Sequence, residues 1–235
     1  YDYTEYILQT LRNIYINDKF QNHMKERETI HILIGILVLA LVMTLSPAIN
    51  GDFSFIGKAI VFSIILIGIN ISAKKFVAHL LDSDIEHEIW QWGRFGFKPG
   101  WHLKKTIPMG IILPIILSIY SLGAIKLLTP LTYETRALKK RAAKRFGPFS
   151  FTEMTDWHNA LVGAAGIIAI LLVAFISYWY AGLETLSKFA TFYAFSNMIP
   201  FSKLDGSQIF FGSRVLWATL SIITLIFTAY AFALV

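Results

Sequence analysis

The sequence predicts an all-α polytopic membrane protein with about six transmembrane segments, and three observations lead there. Of the 235 residues, 55% are hydrophobic and only 15% are charged, and the mean hydropathy of +0.57 is far too apolar for a soluble domain. The apolar residues gather into runs near the roughly twenty residues that a membrane helix requires. The net charge of +6, from 21 basic and 15 acidic residues, sits mostly in the connections between those runs. That placement points to the headgroups of a lipid bilayer, and not to nucleic acid, as the partner of the positive charge. With no Cys in the chain, a disulfide framework, a thiol nucleophile and a thiolate metal site are all excluded.

Residues 1–29 form a polar lead in which Tyr6, Ile7, Leu8, Leu11, Ile14 and Tyr15 recur at helical spacing. This is the pattern of an amphipathic helix lying on the membrane or against a partner, and so long a polar lead is unlike a signal peptide. Residues 30–235 then read as one transmembrane domain. Its first span is Ile30–Ile49, stopped by Ser46-Pro47 and followed by a Gly51-Asp52 turn. The second begins near Lys58 and stays apolar to Ile69; Asn70, Ser72, Lys74 and Lys75 then raise the polarity without interrupting the helical period, which continues to His79.

Between Asp82 and Lys105 the chain is polar but rich in aromatics (Trp90, Trp92, Phe95, Phe97, Trp101), with Gly93, Gly96, Pro99 and Gly100 as turn signals. A β-hairpin and a re-entrant loop at the interface both fit residues 82–105, and the aromatics suit either an interfacial belt or a docking surface. A third span runs from Ile107 to Leu128, entered at Pro108 and kinked at Pro114. The loop Thr129–Asp156 carries Arg136, Lys139, Lys140, Arg141, Lys144 and Arg145, the strongest positive-inside signal in the chain; these residues suit headgroup contact or a protein-binding arm. The Lys74–Lys105 loop, on the opposite side, also bears lysines and leaves orientation open. The fourth span, Trp157–Tyr180, offers Gly163 and Gly166 as a small-residue packing face. Ahead of it, Glu153, Asp156 and His158 suit a helix-start charge and cap set, or a second metal site. Two further stretches, Leu186–Pro200 and Ile209–Val235, complete the six.

Between those last two stretches lie Asn197, Pro200, Lys203 and Asp205. An ionisable group at membrane depth needs a partner or a cavity, and irregular backbone survives there only when protein surrounds it or water reaches it. Asp205 is therefore expected at the centre of a buried polar site.

The run Asn197-x-x-Pro200-x-x-x-Leu204-Asp205-Gly206 resembles the motif that carries the carboxylate zinc ligand in the site-2 protease family of intramembrane metalloproteases. Lys75-Phe76-Val77-Ala78-His79, Trp92-Gly93 and the stretch Phe151-Thr152-Glu153-Met154-Thr155-Asp156-Trp157-His158 are similar to segments of archaeal-type members. The resemblance spans roughly residues 58–235 and implies integration in the cell membrane of an archaeon. In that family an HExxH helix supplies two His ligands, one turn apart, and a Glu general base. Aligned by the Lys75–His79 flank, those positions hold Asn70-Ile71-Ser72-Ala73-Lys74, and Gly166-Ile167-Ile168-Ala169-Ile170 stands where the family has Gly-Pro-x-x-Asn. Asn70, Ile71, Lys74 and Asp205 are then vestigial active-site positions, supported by Asn197, Pro200 and Gly206. No residue is catalytic, no cofactor is expected, and the chain is an inactive relative serving as a binding or accessory subunit among other membrane proteins.

The alternative is an active intramembrane metalloprotease whose zinc ligands come from His79, Asp82 and Asp205. The sequence His87-Glu88-Ile89-Trp90-Gln91 fails HExxH by one ligand. A channel or transporter is a third class, though no inverted repeat is visible. At the altered site itself two arrangements are open. Lys74 and Asp205 form a buried ion pair whose hydrogen bonds Asn70 and Asn197 complete, or Lys74 snorkels to the interface while Asp205 caps the last helix.

Overall fold

The computed structural model describes residues 3–94, 102–138 and 154–233. Among them the chain runs α1 (Tyr3–Ile49), α2 (Phe55–Leu80), β1 (Ser83–Ile89), β2 (Trp92–Arg94), β3 (His102–Ile107), α3 (Met109–Tyr120), β4 (Leu131–Ala137), α4 (Asp156–Tyr178), α5 (Glu184–Met198), α6 (Asp205–Gly212) and α7 (Arg214–Ala233). The amphipathic face expected from Tyr6 to Tyr15, the aromatics Phe95, Phe97 and Trp101, the basic residues Lys139, Lys140, Arg141, Lys144 and Arg145, and the stretch Phe151–Glu153 lie outside the described residues.

The polar lead and the first span are one continuous helix, because no Gly or Pro falls between Tyr3 and Ile34 to interrupt it. It passes through the expected stop at Pro47 and ends at Ile49, where Gly51 turns the chain with a φ of +81°. Four helices are long and apolar enough to cross a membrane, at Glu26–Ile49, Phe55–Leu80, Asp156–Tyr178 and Arg214–Phe232. That is fewer than the six segments expected, and each difference has a local cause.

The third span shrinks to the twelve residues of α3, because Leu122 and Gly123 take left-handed φ angles of +52° and +80° and turn the chain away. The fifth becomes the 15-residue α5, about 22 Å long against a hydrocarbon core of about 30 Å. It stops where Pro200 forces Ile199 into an extended conformation. The final stretch divides at Ser213, whose extended backbone separates α6 from α7.

The expectation of an all-α chain is corrected by two small antiparallel sheets. Of the two arrangements open for residues 82–105, a hairpin forms from β2 and β3. Strand β1, however, pairs with β4 in the register Ser83↔Ala137 to Ile89↔Leu131, and β4 comes from the segment read as a basic loop. The reason lies in its composition: Leu131, Thr132, Tyr133 and Thr135 are β-branched or apolar, and they suit a half-buried strand. Arg136, counted with the basic run, lies within this strand, one residue before its end, and pairs with Glu86 at 3.1 Å.

Helix α4 is the centre of the bundle and packs on α2, α5 and α6. Leu66 and Ile67 of α2, Ile167 and Ile170 of α4, Ala190 and Ala194 of α5 and Ile209 of α6 are buried in one core. Large apolar side chains such as Leu37, Val61, Phe175 and Ile226 point outward, a surface that lipid accepts and water does not.

Candidate functional site

The site grows from the polar second half of α2. Asn70 and Lys74 are four residues apart and so share one helical face; they are only 2% and 3% exposed. Ile71, one position round the helix, is half-buried. Facing them is the first residue of α6, Asp205, which is 1% exposed. The Lys74 Nζ lies 2.6 Å from Asp205 Oδ2. The carboxylate also sits in the first turn of α6, where the positive end of the helix dipole favours an anion.

Two glycines of α4 make this approach possible. A Cβ at Gly166 would lie 2.6 Å from Lys74 Cε and 2.9 Å from Asn70 Nδ2. A Cβ at Gly163 would lie 2.6 Å from the Tyr133 hydroxyl. Tyr133, on β4, completes the site: its ring centroid is 4.5 Å from Lys74 Nζ, a cation–π distance. Its hydroxyl donates to the Asn159 carbonyl at 2.8 Å. Burial, and then the negative charge of Asp205, push that hydroxyl well above the ordinary tyrosine range, so it stays a donor. Sequence reasoning missed Tyr133; the β-branched and apolar run Leu131-Thr132-Tyr133, buried throughout in β4, marks the strand but not its contact with Lys74.

Of the two arrangements left open for Lys74, the geometry is that of the buried pair. Snorkelling is ruled out by the burial of the lysine. Capping is ruled out because the Ser207 and Gln208 amides donate to the Leu204 carbonyl and not to the Asp205 side chain. The expected supporting amides are corrected, however. Asn197 donates to the carbonyls of Leu128 and Tyr193, at 3.3 and 2.9 Å, satisfying the loop and the last turn of its own helix instead of the ion pair. Asn70 lies against Gly166, and its Nδ2 and Asp205 Oδ1 find no hydrogen-bond partner among the described residues.

The remaining motif residues shape the loop. Pro200 is exposed and ends α5. Gly206 lets α6 close on α5, since a Cβ there would sit 2.1 Å from the Met198 carbonyl oxygen. The loop between them is fastened from outside. Thr132 Oγ1 donates to the Lys203 carbonyl, Gln208 Nε2 donates to the Tyr133 carbonyl at 3.0 Å, and Trp217 Nε1 donates to the Met198 carbonyl at 3.1 Å. Ser202 holds a φ of +55° and accepts a bond from Trp90 Nε1 at 3.1 Å. Phe201 meets Trp90 and Trp92 edge-on, at 6.0 and 5.3 Å between centroids. Trp90 is therefore a buried strut for the loop and not part of an interfacial belt.

No protein-family model, curated protein or solved structure matches this chain. What the site can do follows from its own donors. A catalytic zinc needs three protein ligands and an open position. Here one carboxylate faces an ammonium, an amide and an isoleucine, so these residues do not fit that metal. The alternative ligands are no better gathered: His79 is exposed and Asp82 half-buried at the end of α2, whereas Asp205 is buried. Among the described residues no three His, Asp or Glu side chains come together as metal ligands do.

His87 lies on strand β1, which ends at Ile89, and Gln91 follows it outside any helix, so HExxQ has no shared helical face and makes no clamp. His87 instead puts Nδ1 3.0 Å from Glu28 Oε1, which also pairs with Lys75 at 2.8 Å. At the start of α4 the cap is Thr155, whose Oγ1 accepts the His158 amide; Asp156 adds the first-turn charge.

Proposed function

We propose that this chain is a catalytically inactive, site-2-protease-like integral membrane protein that serves as a binding or accessory subunit of a membrane complex. The observation that carries the reading is the Lys74–Asp205 ion pair, at 2.6 Å. Where the resembling enzymes need a metal ion beside the motif carboxylate, this chain supplies an ammonium of its own. The positions aligned with the two imidazoles and the general base hold Asn70, Lys74 and Ile71. None of the three can accept a proton from a bound water while Lys74 is charged and paired. A scaffold so altered keeps its helices, its loop and its outward apolar surface, which are the parts that bind other membrane proteins.

Two measurements on purified protein test this. Elemental analysis should find no stoichiometric zinc; stoichiometric zinc that a chelator removes would restore the metalloprotease. Affinity purification from native membrane should bring down a discrete companion in fixed ratio. A chain that leaves the membrane alone would remove the subunit role while leaving the inactive site intact.

A further inference from the structure

Strand β1 rests on α1 and α2, and one carboxylate holds the three together. Glu28 Oε1 lies 3.0 Å from His87 Nδ1 and 2.8 Å from Lys75 Nζ, and it accepts the His87 backbone amide at 3.3 Å. His87 is 1% exposed, and its Nε2 finds no hydrogen-bond partner among the described residues. This arrangement suits a neutral imidazole that donates from Nδ1 to the carboxylate and keeps a lone pair on Nε2. A cavity of about 100 Å³ borders the ring, with room for several waters.

A second proton on this ring has no good place to go. It would leave a buried N–H at Nε2 without an acceptor and add a positive charge where others already gather. Helix α2 brings Lys74 and Lys75, whose charges act against a charged imidazole. Helix α1 brings Glu28, which Lys75 shares, and sets Arg27 and His31 on the same cavity. Within β1, Glu86 and Glu88 flank the ring, and Glu86 is taken by Arg136 of β4; α3, which meets the end of β1 near Trp90, carries no charged residue. The sheet anchored at this joint closes over the ion pair. His87 stands opposite Tyr133 in the β1–β4 register, and the Tyr133 ring lies against Lys74, so one cross-strand pair connects the imidazole to the cover of the Lys74–Asp205 site.

We propose that the β1–β4 sheet is an acid-operated lid over the Lys74–Asp205 site, with His87 as its latch: proton uptake at His87 frees β1 from Glu28, and the sheet lifts while the helices stay folded. In the lifted sheet the imidazole meets water and takes its proton near pH 6.5; in the closed sheet it stays neutral. The lifted state therefore gains on the closed one as pH falls, by about tenfold between about pH 7.5 and 5.5. Protonated histidines release packed surfaces in this way, and a two-stranded sheet held by few side chains is the kind of unit that opens by itself. The latch works in the same manner whether or not the chain is a subunit of a complex.

Hydrogen–deuterium exchange of the full chain in detergent, read by mass spectrometry at about pH 7.5 and 5.5 and corrected for the intrinsic rate, tests the lid. The amides of β1 and β4 should lose about tenfold in protection toward the acid side, while those of α4 keep theirs. His87→Gln, which can still donate to Glu28 but takes up no proton, should abolish the loss. Lys75→Gln should shrink it, because Glu28 is then left to His87 alone and the closed sheet tolerates a charged imidazole better. Thermal unfolding at the higher pH shows whether each variant is folded, and Lys75→Gln decides the matter if His87→Gln is not. Unchanged protection of the sheet in wild type, a loss in β1 that β4 does not share, an equal loss in α4, a loss that persists in folded His87→Gln, or one undiminished in folded Lys75→Gln would overturn the proposal.

Discussion

A buried lysine is tolerable beside Asp205 only because each charge neutralises the other, and this makes the two residues a thermodynamic unit. Removing one partner leaves the other uncompensated in a medium that cannot solvate it, at a cost of roughly 3–5 kcal/mol. Replacing both with apolar residues of similar size removes the desolvation cost together with the attraction. Lys74→Met and Asp205→Leu should therefore each lower stability by about that amount, while the double variant recovers much of it. Denaturation in detergent across the cycle reads the coupling, and strictly additive losses would mean that the pair does not act as one. Gly166→Ala belongs to the same experiment. Its methyl would meet Lys74 Cε and Asn70 Nδ2, pushing the ammonium off the carboxylate, so the coupling should shrink in that background. The spacing of Asn70, Lys74 and Asp205 could be read from the sequence, because i and i+4 fix a helical face and a carboxylate between apolar runs stands out. Gly163 and Gly166 could be read as a packing face, but neither their contact with the site nor that of Tyr133 could, since these contacts join distant segments that no local period connects.

The elements show the same limit. Composition exposes an apolar helix of twenty or more residues, and α2 and α4 were placed nearly to their ends. Strand β4 was hidden because Arg136 and the basic residues after it dominate the segment, and its register with β1 is set across the intervening hairpin and α3. What anchors β1 is a junction of three elements: Glu28 of α1 reaches both Lys75 of α2 and His87 of β1. Burial holds His87 below the usual imidazole range, outweighing the hydrogen bond it makes to Glu28, which acts the other way; the positive charges of Lys74 and Lys75 add to the depression. The sign of the effect follows. The unfolded chain takes up a proton at this residue near pH 6.5 while the folded chain does not, so stability is intact above about 6.5 and declines as pH falls below it. Unfolding temperatures measured between about pH 7.5 and 5.5 should fall toward the acid end, and His87→Gln, which keeps a donor for Glu28, should flatten that profile.

Across the whole molecule, the arrangement of the helices places their connections at two opposite ends. Helices α1 and α2 are antiparallel: Glu28 meets Lys75 near one end, and Met43 meets Ser63 nearer the other. The α1–α2 turn is tied to the end of α4 through α5, because Phe55 packs on Phe189 at 6.0 Å and α5 follows directly from α4. Tyr178 and Tyr230 bring the end of α7 to the same level. At the opposite end lie β1, β4 and the loop before α6, joined by Thr132 and Lys203. The shorter α3 and α5 do not alter this arrangement, since it depends on where the ends of the four long helices meet. With no native Cys, single cysteines can report the arrangement without background. Asp52→Cys and Ala181→Cys should react with an impermeant maleimide from one face of sealed vesicles, and Asp84→Cys and Lys203→Cys only from the other. Labelling of Asp52→Cys and Lys203→Cys from the same face would mean that α2, α4 and α7 do not cross the bilayer as their length and apolarity allow, and that the ion pair between α2 and α6 lies outside the membrane.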